Sequence, residues 1–184
     1  MFIETEQTPN PETLKFILEQ ELLASGSVNY SDRHGSEGSP LASELFRIED
    51  VEGVFIGQNF VSVSKVATSD WFVLKPIILS SLMQFISSGM PAVEAPSNEI
   101  TFAVSPEDAD VVAQISAIIE EKVRPSVAGD GGDIVLKGFE KGIVYLQLQG
   151  ACAGCPSSTI TLKHGIENLL KYYVPEVIEV RAVE

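Results

Sequence analysis

Ile143-Val144-Tyr145-Leu146-Gln147-Leu148-Gln149-Gly150-Ala151-Cys152-Ala153-Gly154-Cys155-Pro156-Ser157-Ser158-Thr159 is the stretch whose reading decides the fold. Val144, Leu146 and Leu148 alternate with outward positions, the period-two signature of a half-buried strand. Pro156 then stands where a helix tolerates proline, in its first turn. Between strand and helix lie Cys152 and Cys155, the only cysteines in 184 residues. A secreted chain of this size spreads more cysteines apart to staple its loops. A lone C-x-x-C in a non-secreted chain points instead to metal or redox chemistry.

Working outward, a helix is expected from about Pro156 to Val174, because the residue before Pro175 resists helical ψ. Val177 to Val183 then closes a sheet. Upstream, Ser105-Pro106-Glu107-Asp108 starts a helix whose stripe of Val111, Val112, Ile115, Ile118 and Ile119 runs out before Pro125. Ile134 to Leu136 pairs with Ile143 to Leu148 as a hairpin around residues 137–142. The order α-β-β-α-β predicts a three-stranded sheet with helices on one face. Gly129-Asp130-Gly131-Gly132-Asp133 lacks the Lys and Ser/Thr of a P-loop and the spaced ligands of an EF-hand. It reads as a tight turn in which Asp130 and Asp133 bond backbone amides.

The first half predicts a second small α+β domain. Strands are expected at Phe2 to Thr5 and Leu14 to Leu18, separated by the turn Thr8-Pro9-Asn10-Pro11. Ser39-Pro40 offers an N-cap and a first-turn proline for a short helix carrying Leu41, Leu45 and Ile48. Val51 to Val63 reads as strand, with Gly53 and Gln58-Asn59 as bulge or hairpin points. A second helix carries Trp71, Leu74, Ile78, Leu82 and Phe85, capped by Ser69 or Asp70. Pro76 should kink it or mark a later start. Trp71 and the aromatic set of the first domain read as core, and no catalytic constellation is evident. The Gly, Pro and Ser content near residues 89–99 reads as a linker. The expected division is therefore 1–88, a linker at 89–104, and 105–184, an α+β chain of two small domains.

Charge limits the partners. The chain has 26 acidic and 12 basic side chains and a formal net charge of −14. Both halves are acidic, with 13 acids and 5 bases in 1–98 and 13 acids and 7 bases in 99–184. This argues against nucleic acid, which requires a cationic face. Lys75, Pro76 and Ser80 interrupt the longest apolar stretches, so no membrane span is expected. Met1 to Asn10 carries Glu4 and Glu6 but no Lys or Arg, unlike a secretory signal or a basic transit peptide. The expected location is the cytoplasm, or an organelle matrix for a processed form.

A soft metal or an iron–sulfur cluster wants four thiolates, and one chain offers two. His164 lies about 13 Å along the helix from Cys155 and shares its polar face with Glu167, Asn168 and Lys171. Glu167 and Lys171 should form an exposed i, i+4 pair. His34 lies in a polar loop, and both histidines read as surface residues. A homodimer with its C-x-x-C loops face to face would supply four cysteines at a two-fold axis. The helix start after Cys152 and Cys155 should lower their pKa. Structural zinc, dithiol–disulfide exchange and an iron–sulfur role all remain open on the motif alone.

The wider context resembles a known family. Arg124-Pro125, Gly129 through Ile134, Gly150 through Thr159, Leu162-Lys163 and Gly165-Ile166-Glu167 look like the NifU C-terminal domain of iron–sulfur cluster scaffold and carrier proteins. Phe2 through Glu6, Thr8 through Pro11 and Thr13 through Phe16 resemble the Nfu N-terminal domain, as do Gly53-Val54-Phe55 and Leu74-Lys75-Pro76. That pairing of domains is seen in mitochondrial and alphaproteobacterial Nfu proteins, so the resemblance implies a bacterial cytoplasm or, for a processed form, a mitochondrial matrix. The resemblance implies that Cys152 and Cys155 of two subunits hold a 4Fe–4S cluster, in preference to 2Fe–2S. It also implies a homodimer on cluster binding, delivery to apo iron–sulfur clients, supply by upstream assembly machinery, and no turnover chemistry. A dithiol–disulfide oxidoreductase and a zinc-binding interaction module are the rival readings.

Overall fold

The computed structural model describes residues 2–94, 105–153 and 156–183, without the side chains of 156–158. The chain divides into two compact units, Met1–Ser97 and Asn98–Glu184. Both are α+β.

In the first unit, β1 (Ile3–Gln7) and β2 (Thr13–Leu18) form the expected hairpin. Asn10 closes its turn: the Asn10 carbonyl accepts from Thr13 N at 3.0 Å, and Asn10 Oδ1 accepts from Glu12 N at 3.0 Å. After β3 (Val28–Tyr30) and a 3₁₀ turn at His34–Gly38 comes α1 (Pro40–Leu45). Ser39 caps α1 by accepting from Ala42 N at 3.1 Å. β4 (Val51–Ile56) and β5 (Phe60–Lys65) pair antiparallel, with a register shift between Val51 and Gly53. The sheet order is β1-β2-β5-β4-β3, so β1 and β3 are its edges. Neither β3 nor the 3₁₀ turn was evident from the sequence, since three residues are too few to display a period.

α2 (Trp71–Ser88) covers this sheet. Asp70 caps it by accepting from Phe72 N at 2.8 Å, and Gly89, at φ 69°, ends it in the left-handed region. The helix begins at Trp71 and continues through Pro76, which rules out the later start. Leu74, Ile78, Leu82, Phe85 and Ile86 are buried against Phe16, Val54, Ile56, Val61 and Val63. By length and composition α2 could cross a membrane, contrary to the sequence expectation. Its one charged residue, Lys75, does not break the run enough. Tertiary packing supplies the other use of such a helix, as the lid of a sheet.

The stretch read as linker from residue 89 starts as packed chain. Ala92 is buried, Ser39 Oγ donates to its carbonyl at 2.6 Å, and Glu94 N donates to the Gly38 carbonyl at 2.9 Å. Residues 95–104 of that stretch lie outside the described residues.

In the second unit the first helix does not stop before Pro125. α3 (Ala109–Ile118) passes into a π-helical turn at Ile119–Val123 and then into α4 (Arg124–Gly129). Proline lacks the N–H for an i→i−4 bond and its ring crowds that carbonyl. The wider π turn shifts the bonding register just ahead of it, so the chain stays helical. Ile115, Ile119, Val123 and Val127, four residues apart, form one buried stripe.

β6 (Gly132–Glu140) and β7 (Ile143–Gly150) extend further than the sequence pattern indicates. Their turn uses Lys141 at φ 51° and Gly142 at φ 82°, consecutive left-handed residues as a two-residue hairpin requires. α5 (Pro156–Tyr173) then crosses to β8 (Glu179–Val183), which lies parallel to β7, as expected of strands joined through a helix. The three-stranded sheet has order β6-β7-β8. Ile134, Val144, Leu146 and Val180 meet the α3–α4 stripe and Ile166, Leu170 and Val174 in one core. Helices on one face, as expected, leave the sheet's two-layer form intact.

Candidate metal-binding loop

The loop is assembled from both ends of the β6–β7 hairpin. Gly132 pairs with Gly150 across the strands. Gly131 and Gly150 adopt φ 81° and 63°, and Ala151 N donates to the Gly131 carbonyl at 3.1 Å. The Gly129–Asp133 turn therefore forms the floor beneath the cysteine loop. Nothing in the local spacing of either segment signals this contact, because it is made across the strand pair.

Cys152 lies on that floor. A Cβ on Gly132 would come within 2.6 Å of Cys152 Sγ, 2.6 Å of the Gln149 carbonyl and 3.0 Å of Cys152 N. Only a residue without a side chain leaves room for the thiol. Thr159 Oγ1 donates to the Cys152 carbonyl at 3.4 Å, tying the loop to the start of α5. Cys155 lies outside the described residues.

The Cys152 side chain is 6% exposed, and its thiol is pushed up to about 11. Burial is the main cause, followed by the Asp130 and Asp133 carboxylates. The expected lowering by the helix start is thus reversed for this cysteine. Cys152 precedes α5 by four residues and is sunk into the unit's core, where two negative groups oppose the thiolate. In this arrangement the sulfur does not face outward toward a second copy.

Asp133 is buried, and its Oδ1 accepts from Ile134 N at 2.7 Å, as the turn reading anticipated. Arg124 Nε lies 3.2 Å from the same carboxylate without an aligned hydrogen bond, so this contact is mainly one of charge. Asp130 is exposed. His34 and His164 are both exposed, as expected. Among the described residues no group of three or more His, Cys, Asp or Glu could hold a metal ion.

Glu167 does more than the surface pair assigned to it. Lys171 Nζ donates to its Oε1 at 2.8 Å, and Val180 N donates to Oε2 at 3.0 Å, joining α5 to β8. These bonds, that of Lys171 first, hold its carboxyl below its ordinary value of 4.5. The stabilisation is fully present above 4.5 and is lost as pH falls through the lower folded value. Glu167→Gln should cost about 0.5–1 kcal/mol near neutrality, the charge being screened by solvent. Urea titrations across pH should show the deficit shrinking toward low pH. A deficit that persists unchanged in acid would contradict the ionic origin.

The site and folds define a two-unit α+β protein carrying a cysteine loop at a strand-to-helix turn. The family model for the Nfu/NifU scaffold N terminus matches residues 3–89, and that for the NifU-like domain matches 115–181. The mitochondrial NFU1 iron-sulfur cluster scaffold homolog of Homo sapiens is 48% identical over 186 residues, spanning all of this chain and 72% of the human protein. Its counterpart in Drosophila simulans is 42% identical over 185 residues, again across the whole chain. The chain spans 65% of that relative's length. A solution structure of a NifU-like protein from Saccharomyces cerevisiae is 26% identical with a TM-score of 0.47, covering 52% of this chain and 87% of the yeast one; it adds nothing to the assignment. This chain belongs to the Nfu/NifU scaffold family.

Proposed function

We propose that the protein is an iron–sulfur cluster scaffold and carrier, which binds a 4Fe–4S cluster through Cys152 and Cys155 of two copies and passes it to apo-proteins. One observation carries this reading: Cys152 of the C-x-x-C falls in the turn after β7 of a NifU-like unit, in a chain 48% identical to a scaffold homolog along its whole length. The cluster is cargo, so the protein is not an enzyme in the turnover sense. Upstream assembly machinery loads it, and apo iron–sulfur proteins unload it. Both the human and fly relatives are named as mitochondrial, which favours a mitochondrial matrix or, for a bacterial chain, the cytoplasm.

Two chains bring four thiolates, the complement that a cluster requires. Cys152 is buried over Gly132, so its sulfur must become accessible before a second copy can share a cluster with it. A cluster shared between two copies can leave when the dimer opens, which suits transfer better than electron carriage.

Anaerobic reconstitution with ferric iron, sulfide and a thiol reductant should give a brown dimer with about four irons, and Mössbauer spectra of a 4Fe–4S cluster. Cys152→Ser and Cys155→Ser should each lose it. A colourless protein holding stoichiometric zinc, or a holo-monomer in sedimentation, would overturn the proposal. Rapid disulfide reduction by the dithiol without a cluster would favour oxidoreductase chemistry instead.

A further inference from the structure

The first unit contains a groove of about 590 Å³, distant in sequence from both cysteines. Thr5 and Gln7 of β1 and Pro11 line one side, and Trp71, Phe72 and Lys75 of α2 the other. Trp71 is already fixed, because its Nε1 donates to the Pro11 carbonyl at 2.9 Å. Phe72 is 88% exposed, and Val73 and Ile77 beside it are exposed as well. Trp71 packs against the core of the unit, as expected, whereas Phe72, Val73 and Ile77 take no part in it, contrary to the expectation that the aromatic set is core.

Lys75 adds a charge to that surface. Lys15, Arg47 and Lys65 in this unit form ion pairs with Glu6, Glu44 and Glu12. Among the described residues Lys75 has no such partner, although the unit is rich in acids. The groove also borders a sheet edge, since nothing pairs with the outer side of β1 among the described residues. Edge backbone groups are ready to accept another strand.

We propose that this groove binds an extended peptide segment of a protein partner, which adds to the outer edge of β1. The segment places a large apolar side chain against Trp71 and Phe72 and an adjacent carboxylate on Lys75. Charge complementarity selects that carboxylate: Lys75 lines the groove and has no ion-pair partner among the described residues. Glu4 and Glu6 alternate with Thr5 and Gln7, so side chains on the other face of the added strand meet acids and should be basic or neutral. A lipid surface fits less well. It would leave the β1 edge and the Thr5 and Gln7 side unmatched, and a chain of net charge −14 is repelled by anionic bilayers. The proposal does not depend on what Cys152 binds.

Random peptides of about a dozen residues, displayed on phage, can be selected on the full chain without iron. The enriched sequences should place an aromatic or large aliphatic residue within two positions of Asp or Glu. A fluorescent peptide of the consensus should bind wild type. Lys75→Glu and Phe72→Asp should each weaken it by about tenfold or more. Tyr172→Asp, at an exposed position in the other unit, should leave it unchanged. Replacing the peptide's acid by Lys should restore binding to the Lys75→Glu protein, a rescue that misfolding could not produce. The proposal is overturned if no sequence family emerges, if the acid is missing from it, or if Lys75→Glu has no effect. Phe72-dependent sedimentation with phosphatidylcholine vesicles would also overturn it, in favour of lipid.

Discussion

Gly132→Ala should abolish stable cluster loading while leaving both cysteines in the chain. The added methyl would fall 2.6 Å from Cys152 Sγ and 2.6 Å from the Gln149 carbonyl, distances that real Cβ atoms do not adopt. A thiol could swing aside, but the second neighbour is backbone in the paired strand. Relief therefore requires the end of the β6–β7 ladder to part, where Gly132 meets Gly150. Overpacking of this kind costs about 1–3 kcal/mol. It also moves the floor that positions the cysteine loop. Reconstituted iron content should fall to near that of Cys152→Ser, with circular dichroism close to wild type. Iron retained at wild-type stoichiometry would show that the Gly132 contact does not govern the loop.

Leu170→Ala should give the largest loss of stability among single substitutions in the second unit. Leu170 is fully buried on α5 and belongs to the core that also holds Ile134, Val144 and Val180. Deleting its branched side chain forfeits transfer energy and leaves a cavity that a helix-on-sheet layer cannot readily collapse. The expected cost is about 2–5 kcal/mol in urea denaturation. His164→Ala, on the exposed face of the same helix, should cost under about 0.5 kcal/mol. Equal effects at the two positions would mean that α5 does not pack as described.

Packing also explains why the loop responds to distant changes. α5 sets the position of Thr159, which bonds the Cys152 carbonyl, and its own place is set by Ile166, Leu170, Val174 and the Glu167 link to Val180. A cavity at Leu170 should therefore loosen cluster binding as well as lower stability. The Glu167 link should matter less, because its charge is only partly shielded from water.

Much of the architecture was legible from periodicity and punctuation. The alternation of Val144, Leu146 and Leu148 marked β7, the helical spacing of Leu74, Ile78, Leu82 and Phe85 marked α2, and Pro175 marked the end of α5. Local signals succeed there because burial on one face imposes a period on the sequence. The C-x-x-C was legible as well, since two cysteines in 184 residues stand out by scarcity. β3 was missed for want of length, and the passage of α3 through the π turn to α4 for want of any sequence mark that a helix can absorb a proline.

What the sequence determined alone was the inventory: two α+β units, their apolar faces, and two thiols at a strand-to-helix turn. The tertiary structure decided where the first thiol lies. A register shift between Leu136 and Gly138 brings Gly132 opposite Gly150; continuing the turn's pairing without it would have placed Gly132 opposite Ala151. That one-residue choice sets Cys152 over a glycine and beside Asp130 and Asp133, which the helix-start argument could not foresee. Burial and charge depend on neighbours remote along the chain, and a local motif carries no record of them.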